Sequence, residues 1–422
     1  MLWMLLSLLC LVHALVQSNR ELKLHHILLY VSALLTGVSN DHIFMYLPLV
    51  DNFWHGQATV MVSPRFPLYI ACVYICILYL PTAYIWRLNI PRYAVPCMTG
   101  LLACILYWPF DITGARFLWW TWHDTDSNTI PRLFGVPVAS TMWVTTFACS
   151  YSFLLHWSLP RAHVLSTVET RKTTTFASLM KPFLVVCLFS VVLMMTHMAC
   201  VQIVVSRTLP PLLPPPNYTM LLSVLGVYGT IAIYALLTKA PVATPTTAAA
   251  SESNSSNQSV VSGSPTKLLS AALSLYFTLY VLVAVYGDPT THVSTGVHQT
   301  YGPSEETAVD YSGLSRFVYV SLDNMVHKYY YTFMTENGNP PPDYDDWYTI
   351  RGLSSEAARQ TYSKYSSDSG SVIDSLHNIR ADSIMIWVCS IGLLCYFVLL
   401  PMASVDSTWY QKQSHSALKK TN

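Results

Sequence analysis

The chain alternates between long apolar stretches and short polar connections. A membrane-spanning helix needs about 20 mostly apolar residues, and nine stretches approach or meet that length: 1–16, 24–39, 67–86, 93–111, 137–157, 182–206, 218–238, 268–287 and 383–404. The first two are short. Backbone N–H and C=O groups in lipid must be satisfied within their own segment, so an uncapped apolar stretch at this depth is helical. The pattern predicts an all-α, polytopic transmembrane helix bundle of about nine spans. Residues 1–240 hold spans one to seven, 241–267 a cytosolic linker, 268–287 span eight, 288–382 a long loop or small subdomain, 383–404 span nine and 405–422 a tail.

Basic residues orient these spans. Arg20, Lys23, Arg87, Arg92, Arg161, Arg171, Lys172, Lys181, Lys239, Lys267, Lys412, Lys419 and Lys420 fall on one side if the N-terminus is luminal and the C-terminus cytosolic. The opposite short loops hold Arg65, Arg116, Arg132 and Arg207. Residues 1–16 also have the length of a cleaved signal peptide, but no Lys or Arg precedes the apolar run. Cleavage would leave eight spans and put the new N-terminus on the wrong side, so an uncleaved anchor is expected. Lys419 and Lys420 in a cytosolic tail have the placement of a dilysine retrieval signal, which predicts residence in the endoplasmic reticulum.

Composition agrees with the membrane assignment. Of 422 residues, 52% are hydrophobic and 11% charged, against about 25% charged in an ordinary soluble domain. A net charge of +1 without a basic cluster argues against a nucleic-acid partner. The ten cysteines lie in or beside apolar segments and show no disulfide or zinc-finger spacing. Residues 241–267, rich in Ser, Thr, Ala and Asn, read as a disordered linker. The loop 288–382 holds 13 of the 22 acidic residues and the aromatic stretch RFVYVSLDNMVHKYYYTFM. That content predicts a small luminal subdomain able to bind a luminal protein partner.

Candidate chemistry is concentrated on the luminal side. Asn40-Asp41-His42 is followed by Asp51 and His55; Asp111 leads into Trp119, Trp120, Trp122, His123, Asp124 and Asp126; Asp288 precedes His292 and His298. Imidazole and carboxylate together suit a divalent metal or general acid–base work. The expected metal ligands are His42, His55, His123, His292, His298 and Asp288, and the expected catalytic groups are His123, Asp124 and Asp111. No single segment carries an HExxH or an i,i+4 His pair. The same residues also suit a structural role: Asp111 and Asp288 sit where predicted spans end, as helix-ending polar residues do, and the tryptophans suit an aromatic belt. No predicted span carries Asp, Glu, Lys or Arg in its interior, which argues against an ion-coupled transporter. His197 and Gln202 are the polar positions within span six. Neither a nucleotide-binding glycine motif nor a GxSxG elbow is present.

The segments WWTWHDTDSNTIPRLFGVPVASTMW (119–143), GDPTTHVSTGVHQTYGP (287–303) and DNFWHGQATVMV (51–62) resemble an uncharacterised family of animal multi-pass membrane proteins carrying a domain of unknown function. The resemblance extends from about residue 20 to 400 and implies no particular activity. A shorter stretch, Gly135-Val136-Pro137 with Ser140 before Trp143, is similar to the membrane enzymes of carotenoid biosynthesis. That local similarity implies a lipid or isoprenoid ligand. The expectation is a membrane-embedded enzyme acting on such a molecule at the luminal face, with a non-enzymatic scaffold, receptor or cargo adaptor as the alternative.

Overall fold

The structure is a computed structural model. It describes residues 1–17, 20–46, 53–56, 58–63, 66–86, 90–117, 119–122, 132–134, 136–159, 176–208, 216–238, 264–287, 307–309, 315–317, 319–320, 328–329 and 381–399. Each of the nine apolar stretches is a helix: α1 (Leu2–Leu15), α2 (Arg20–Tyr46), α3 (Leu68–Ile85), α4 (Ala94–Arg116), α5 (Val138–Ser158), α6 (Phe176–Thr208), α7 (Pro216–Leu237), α8 (Ser264–Tyr286) and α9 (Ala381–Leu393). A π-helical turn, Leu394–Leu399, continues α9. Among the described residues, seven helices are long and apolar enough to cross a membrane, α2 to α8. The first and last apolar helices are shorter, Leu2–Leu15 and Ile384–Phe397.

Burial separates an inner set of helices from an outer one. In α3, 83% of the apolar window is buried; in α6 the share is 22%. Leu184, Leu188 and Val192, one helical turn apart on α6, face outward, as do Val227 and Tyr234 on α7. In a soluble protein such stripes would be a liability; in a bilayer they are the lipid-facing surface. α3 is enclosed by α1, α2 and α4, α5 lies along α4 and α6, and α8 packs on α9 and α1. Polar side chains join these helices. Trp3 Nε1 donates to Tyr280 Oη across 3.2 Å, and the hydroxyls of Tyr276 and Tyr396 donate to the α4 carbonyls of Leu106 and Leu102 at 2.5 and 3.0 Å.

Short strands occur in the connections at one end of the bundle. β1 (Phe53–His55), between α2 and α3, pairs antiparallel with β4 (Trp120–Trp122), between α4 and α5. The register sets His55 opposite Trp120. Gly56 N also donates to Trp119 O at 2.7 Å. β2 (Met61–Ser63) pairs with β3 (Phe66–Pro67), and β5 (Arg132–Leu133) with β6 (Val136–Pro137). Phe134, in the β5–β6 turn, is buried with φ 55°, a strained setting for a bulky side chain, two residues before the strand that leads into α5. In the long loop, β7 (Thr307–Val309) pairs with β8 (Ser315–Phe317), and β9 (Tyr319–Val320) with β10 (Lys328–Tyr329). The rest of that loop, linker residues 241–263 and the tail with Lys419 and Lys420 lie outside the described residues.

Two helices run past their predicted ends. α2 continues to Tyr46 and α4 to Arg116, so Asp41 and Asp111 lie inside helices, both buried. Asp111 is therefore not a helix-ending residue, and the expectation that the spans carry no interior acid is corrected. The reason is tertiary: each carboxylate accepts a hydroxyl hydrogen bond from a neighbouring helix, Asp41 from Tyr74 of α3 and Asp111 from Ser140 of α5, which hydropathy along the sequence does not register.

Candidate functional site

A cavity of about 290 Å³ opens inside the bundle at the β1–β4 end. Its polar wall is formed by Asn40 and Asp41 of α2, His55 of β1, Tyr74 of α3, Tyr107 of α4 and Ser140 of α5. Phe110, Trp120 and Trp143 supply aromatic surface, and Met195, Met198 and Met220 of α6 and α7 supply flexible apolar surface. Met195 lines the cavity and is also 40% exposed on the outward side of α6, so the cavity borders the lipid-facing surface.

The polar wall is ordered. Trp143 Nε1 donates to Asn40 Oδ1 at 3.3 Å, Asn40 Nδ2 donates to Tyr74 Oη at 3.2 Å, and Tyr74 O–H donates to Asp41 Oδ1 at 2.6 Å. Every donor in this run points towards Asp41, and a short O–H···O⁻ bond is among the stronger hydrogen bonds a carboxylate receives. His55 Nδ1 lies 4.0 Å from Asp41 Oδ2. That is too long for a hydrogen bond but close enough for an imidazolium to be stabilised by the carboxylate. A second acid stands beside this run. Ser140 Oγ donates to Asp111 Oδ2 at 2.7 Å, and Tyr107 lies within electrostatic reach of both Asp111 and Asp41. Asp111 Oδ1 is buried with no hydrogen-bond partner among the described residues.

Two glycines permit this geometry by close approach. A Cβ at Gly37 would lie 2.1 Å from Tyr74 Cβ, and one at Gly114 would lie 2.0 Å from Trp120 Cη2. Gly37 thus lets α3 carry Tyr74 against α2. Gly114 lets the Trp120 ring lie over the end of α4, where Trp119 N also donates to Gly114 O at 2.9 Å.

Of the residues singled out in the sequence, the structure brings Asp41 and His55 together and sets Asp111 beside them through Ser140 and Tyr107. His42 is placed differently. Its Nδ1 bonds Val38 O at 2.7 Å and its ring lies 4.8 Å from Phe66; it is not part of the cavity wall. His123, Asp124, Asp288, His292 and His298 lie outside the described residues. Among the described residues no three His, Cys, Asp or Glu side chains gather as a metal-binding set. Tyr74 and Tyr107 were not signalled by the sequence, because nothing there separates them from the other tyrosines of the apolar stretches, such as Tyr69, Tyr79 and Tyr84 beside Tyr74.

The Ser140–Asp111 bond makes a prediction. Ser140→Ala removes the hydrogen bond that Asp111 receives at Oδ2, and a buried acid losing its donor costs about 1–3 kcal/mol. A lower thermal unfolding midpoint for Ser140→Ala, restored in Ser140→Thr, is the expected result.

No curated protein and no solved structure matches this chain. Residues 1–365, which take in α1 to α8 and every side chain of the cavity wall, match the family described as domain of unknown function DUF7802, and the chain belongs to that family.

Proposed function

We propose that this membrane protein is an enzyme acting on a lipid or isoprenoid, with Asp41, His55 and Tyr74 as its acid–base machinery. The observation that carries the reading is their position: an aligned, buried polar run forms one wall of an apolar cavity that borders the lipid-facing surface. An amphiphile could place its head on that wall and its chain among the methionines. His55 is positioned to take a proton from a ligand hydroxyl, and Asp41 to stabilise the resulting imidazolium. Tyr74 orients Asp41. Asp111, Ser140 and Tyr107 supply a second polar group for the same head.

The basic-residue bias supports placing the cavity on the luminal side of the membrane, with the N-terminus luminal and the C-terminus cytosolic, and the endoplasmic reticulum is the proposed compartment. A divalent metal at Asp41 and His55 would need further ligands; His123 follows directly on β4, whose Trp120 is paired with His55. Elemental analysis of purified wild type and His55→Gln tests that addition separately.

The functional test uses the full chain in lipid nanodiscs, with a panel of lipids and isoprenoids followed by mass spectrometry. Wild type is expected to convert at least one class. His55→Gln and Tyr74→Phe should each lose about 10²-fold or more in rate, the usual share of a general acid–base group. Lack of turnover across the panel in wild type, or unchanged rates in both variants, would overturn the enzyme reading. Lipid retained without turnover would instead make the cavity a binding site.

A further inference from the structure

A continuous row of aromatic rings runs along the cavity. Tyr74 meets Trp143 edge-on with ring centroids 6.1 Å apart, Trp143 meets Tyr107 at 5.7 Å, Tyr107 meets Phe110 at 5.5 Å and Phe110 meets Trp120 at 4.9 Å. Trp120 in turn lies 6.3 Å from the His55 ring. All five aromatic side chains line the cavity. They come from α3, α4, α5 and β4, so the row is made by the packing of the bundle and not by any one segment.

The acids beside this row have the same sign and no basic side chain in the wall to offset them. Asp41 is bonded to Tyr74 at one end, and Asp111 stands behind Ser140 and Tyr107, which line the cavity nearer its middle. Both acids are buried. Asp41 has His55 at 4.0 Å to take up positive charge. Asp111 is served differently: Ser140 donates to Oδ2 at 2.7 Å, and Oδ1 has no hydrogen-bond partner among the described residues. Among the described residues no Lys or Arg lines the cavity, and Arg116, buried at the end of α4, is not in its wall. Gln202 and Asn217, from α6 and α7, add only uncharged polar groups. A buried carboxylate is costly unless a cation or several donors face it.

Ring faces carry partial negative charge and attract a cation within about 6 Å of the centroid, more strongly where water is excluded. Five rings beside two acids therefore favour a cationic head. A phosphate would meet two carboxylates and none of the guanidinium or ammonium groups that recognise it. An uncharged head would leave Asp111 without a counter-charge.

We infer that the head bound in this cavity is a protonated amine without phosphate, carried on a long alkyl chain. The ammonium lies against Tyr107 and Trp143. Ser140 Oγ gives its proton to Asp111 and keeps lone pairs that accept from the ammonium. Asp111 thus balances the ammonium through Ser140, while Asp41 and His55 stay available for a hydroxyl on the same head. The chain runs past Met198 to Met195, at the lipid-facing surface. The inference rests on reading the cavity as a lipid site and gives that site a substrate class, the long-chain amino alcohols. Binding of the cation does not itself require turnover.

The full chain in an uncharged detergent, given octadecylamine, octadecanol or octadecyl phosphate at equal mole fraction in the micelle, tests this by native mass spectrometry of the ligand retained. Wild type is expected to hold the amine at least about ten-fold better than the alcohol, and the alkyl phosphate least well. Asp111→Asn keeps an acceptor for Ser140 and removes the charge. Its amine retention should fall about ten-fold, to the level of the alcohol, with alcohol retention unchanged, which separates a lost charge from a lost fold. Equal retention of amine and alcohol by wild type, or an amine excess that persists in Asp111→Asn, would overturn the inference, the latter by showing adsorption to the micelle. Either result leaves turnover of uncharged lipids free to support the enzyme. Amine held in this pattern without turnover of any lipid would sustain the inference while the enzyme reading fails.

Discussion

Gly37→Ala is expected to destabilise the protein by at least about 3 kcal/mol, at or beyond the top of the range for ordinary overpacking. The added methyl would fall 2.1 Å from Tyr74 Cβ and 2.3 Å from its Cγ, atoms fixed close to the α3 backbone. Tyr74 cannot retreat easily: its ring is flanked by Trp143 and Phe147 at 6.1 and 6.2 Å, and its hydroxyl is tied to Asn40 and Asp41. The two helices would have to separate where they form the cavity wall, so bound lipid should be lost with the stability. Gly229→Ala on α7 is the matched control, because a Cβ there meets nothing within 4 Å; it should be neutral or stabilise by about 0.5–1 kcal/mol through helix propensity. Thermal unfolding in detergent reads both. Equal midpoints for the two variants would contradict the close approach of α2 and α3.

Tyr79→Phe should be the second most damaging of the conservative changes. The hydroxyl is shared between His13 and His26, which come from different helices. Its removal takes a partner from two buried ring nitrogens at once, at about 1–3 kcal/mol each. The ring contacts of Tyr79 with both histidines, at 5.8 and 5.7 Å, survive the change, so the loss isolates the hydroxyl. Tyr93→Phe at an exposed position should leave the midpoint unchanged. If Tyr79→Phe also left it unchanged, the three side chains would not be hydrogen-bonded as described.

Apolar length alone located all nine helices, because the spacing of apolar residues is a one-dimensional property. Helix ends were less legible. A hydropathy profile stops where Asp41 and Asp111 begin to cost transfer energy, whereas the helices continue through them because Tyr74 and Ser140 donate to the carboxylates. The outer polar cluster was half legible: Asn40, Asp41, Asp111 and His55 stood out by residue type, but Tyr74 and Tyr107 look like ordinary apolar-span residues until α3 and α4 are placed beside α2. The array of His13, Gln17, Tyr79 and His26 left a fainter signal, a His or Gln within a turn or two of the ends of α1 and α2, and its order depends on Tyr79 of α3, the most buried of the candidate spans. Residue type suggested His42 as a metal ligand beside His55, but its position on α2 turns it towards Val38 and Phe66 instead.

The hydrogen bond between Trp3 and Tyr280 joins positions 277 residues apart. At a synthesis rate of about 5–20 residues per second, that interval is on the order of tens of seconds. Throughout it, Trp3 has been made but its α8 partner has not, although Ser7 and His13 on the same helix already meet Tyr30 of α2 and Tyr79 of α3. An indole N–H kept in lipid without its acceptor is costly. Biogenesis of this protein should therefore depend on an insertion factor that holds α1 until α8 arrives, and truncations ending before residue 264, where α8 begins, should be cleared by quality control even though most of the cavity wall has already been synthesised.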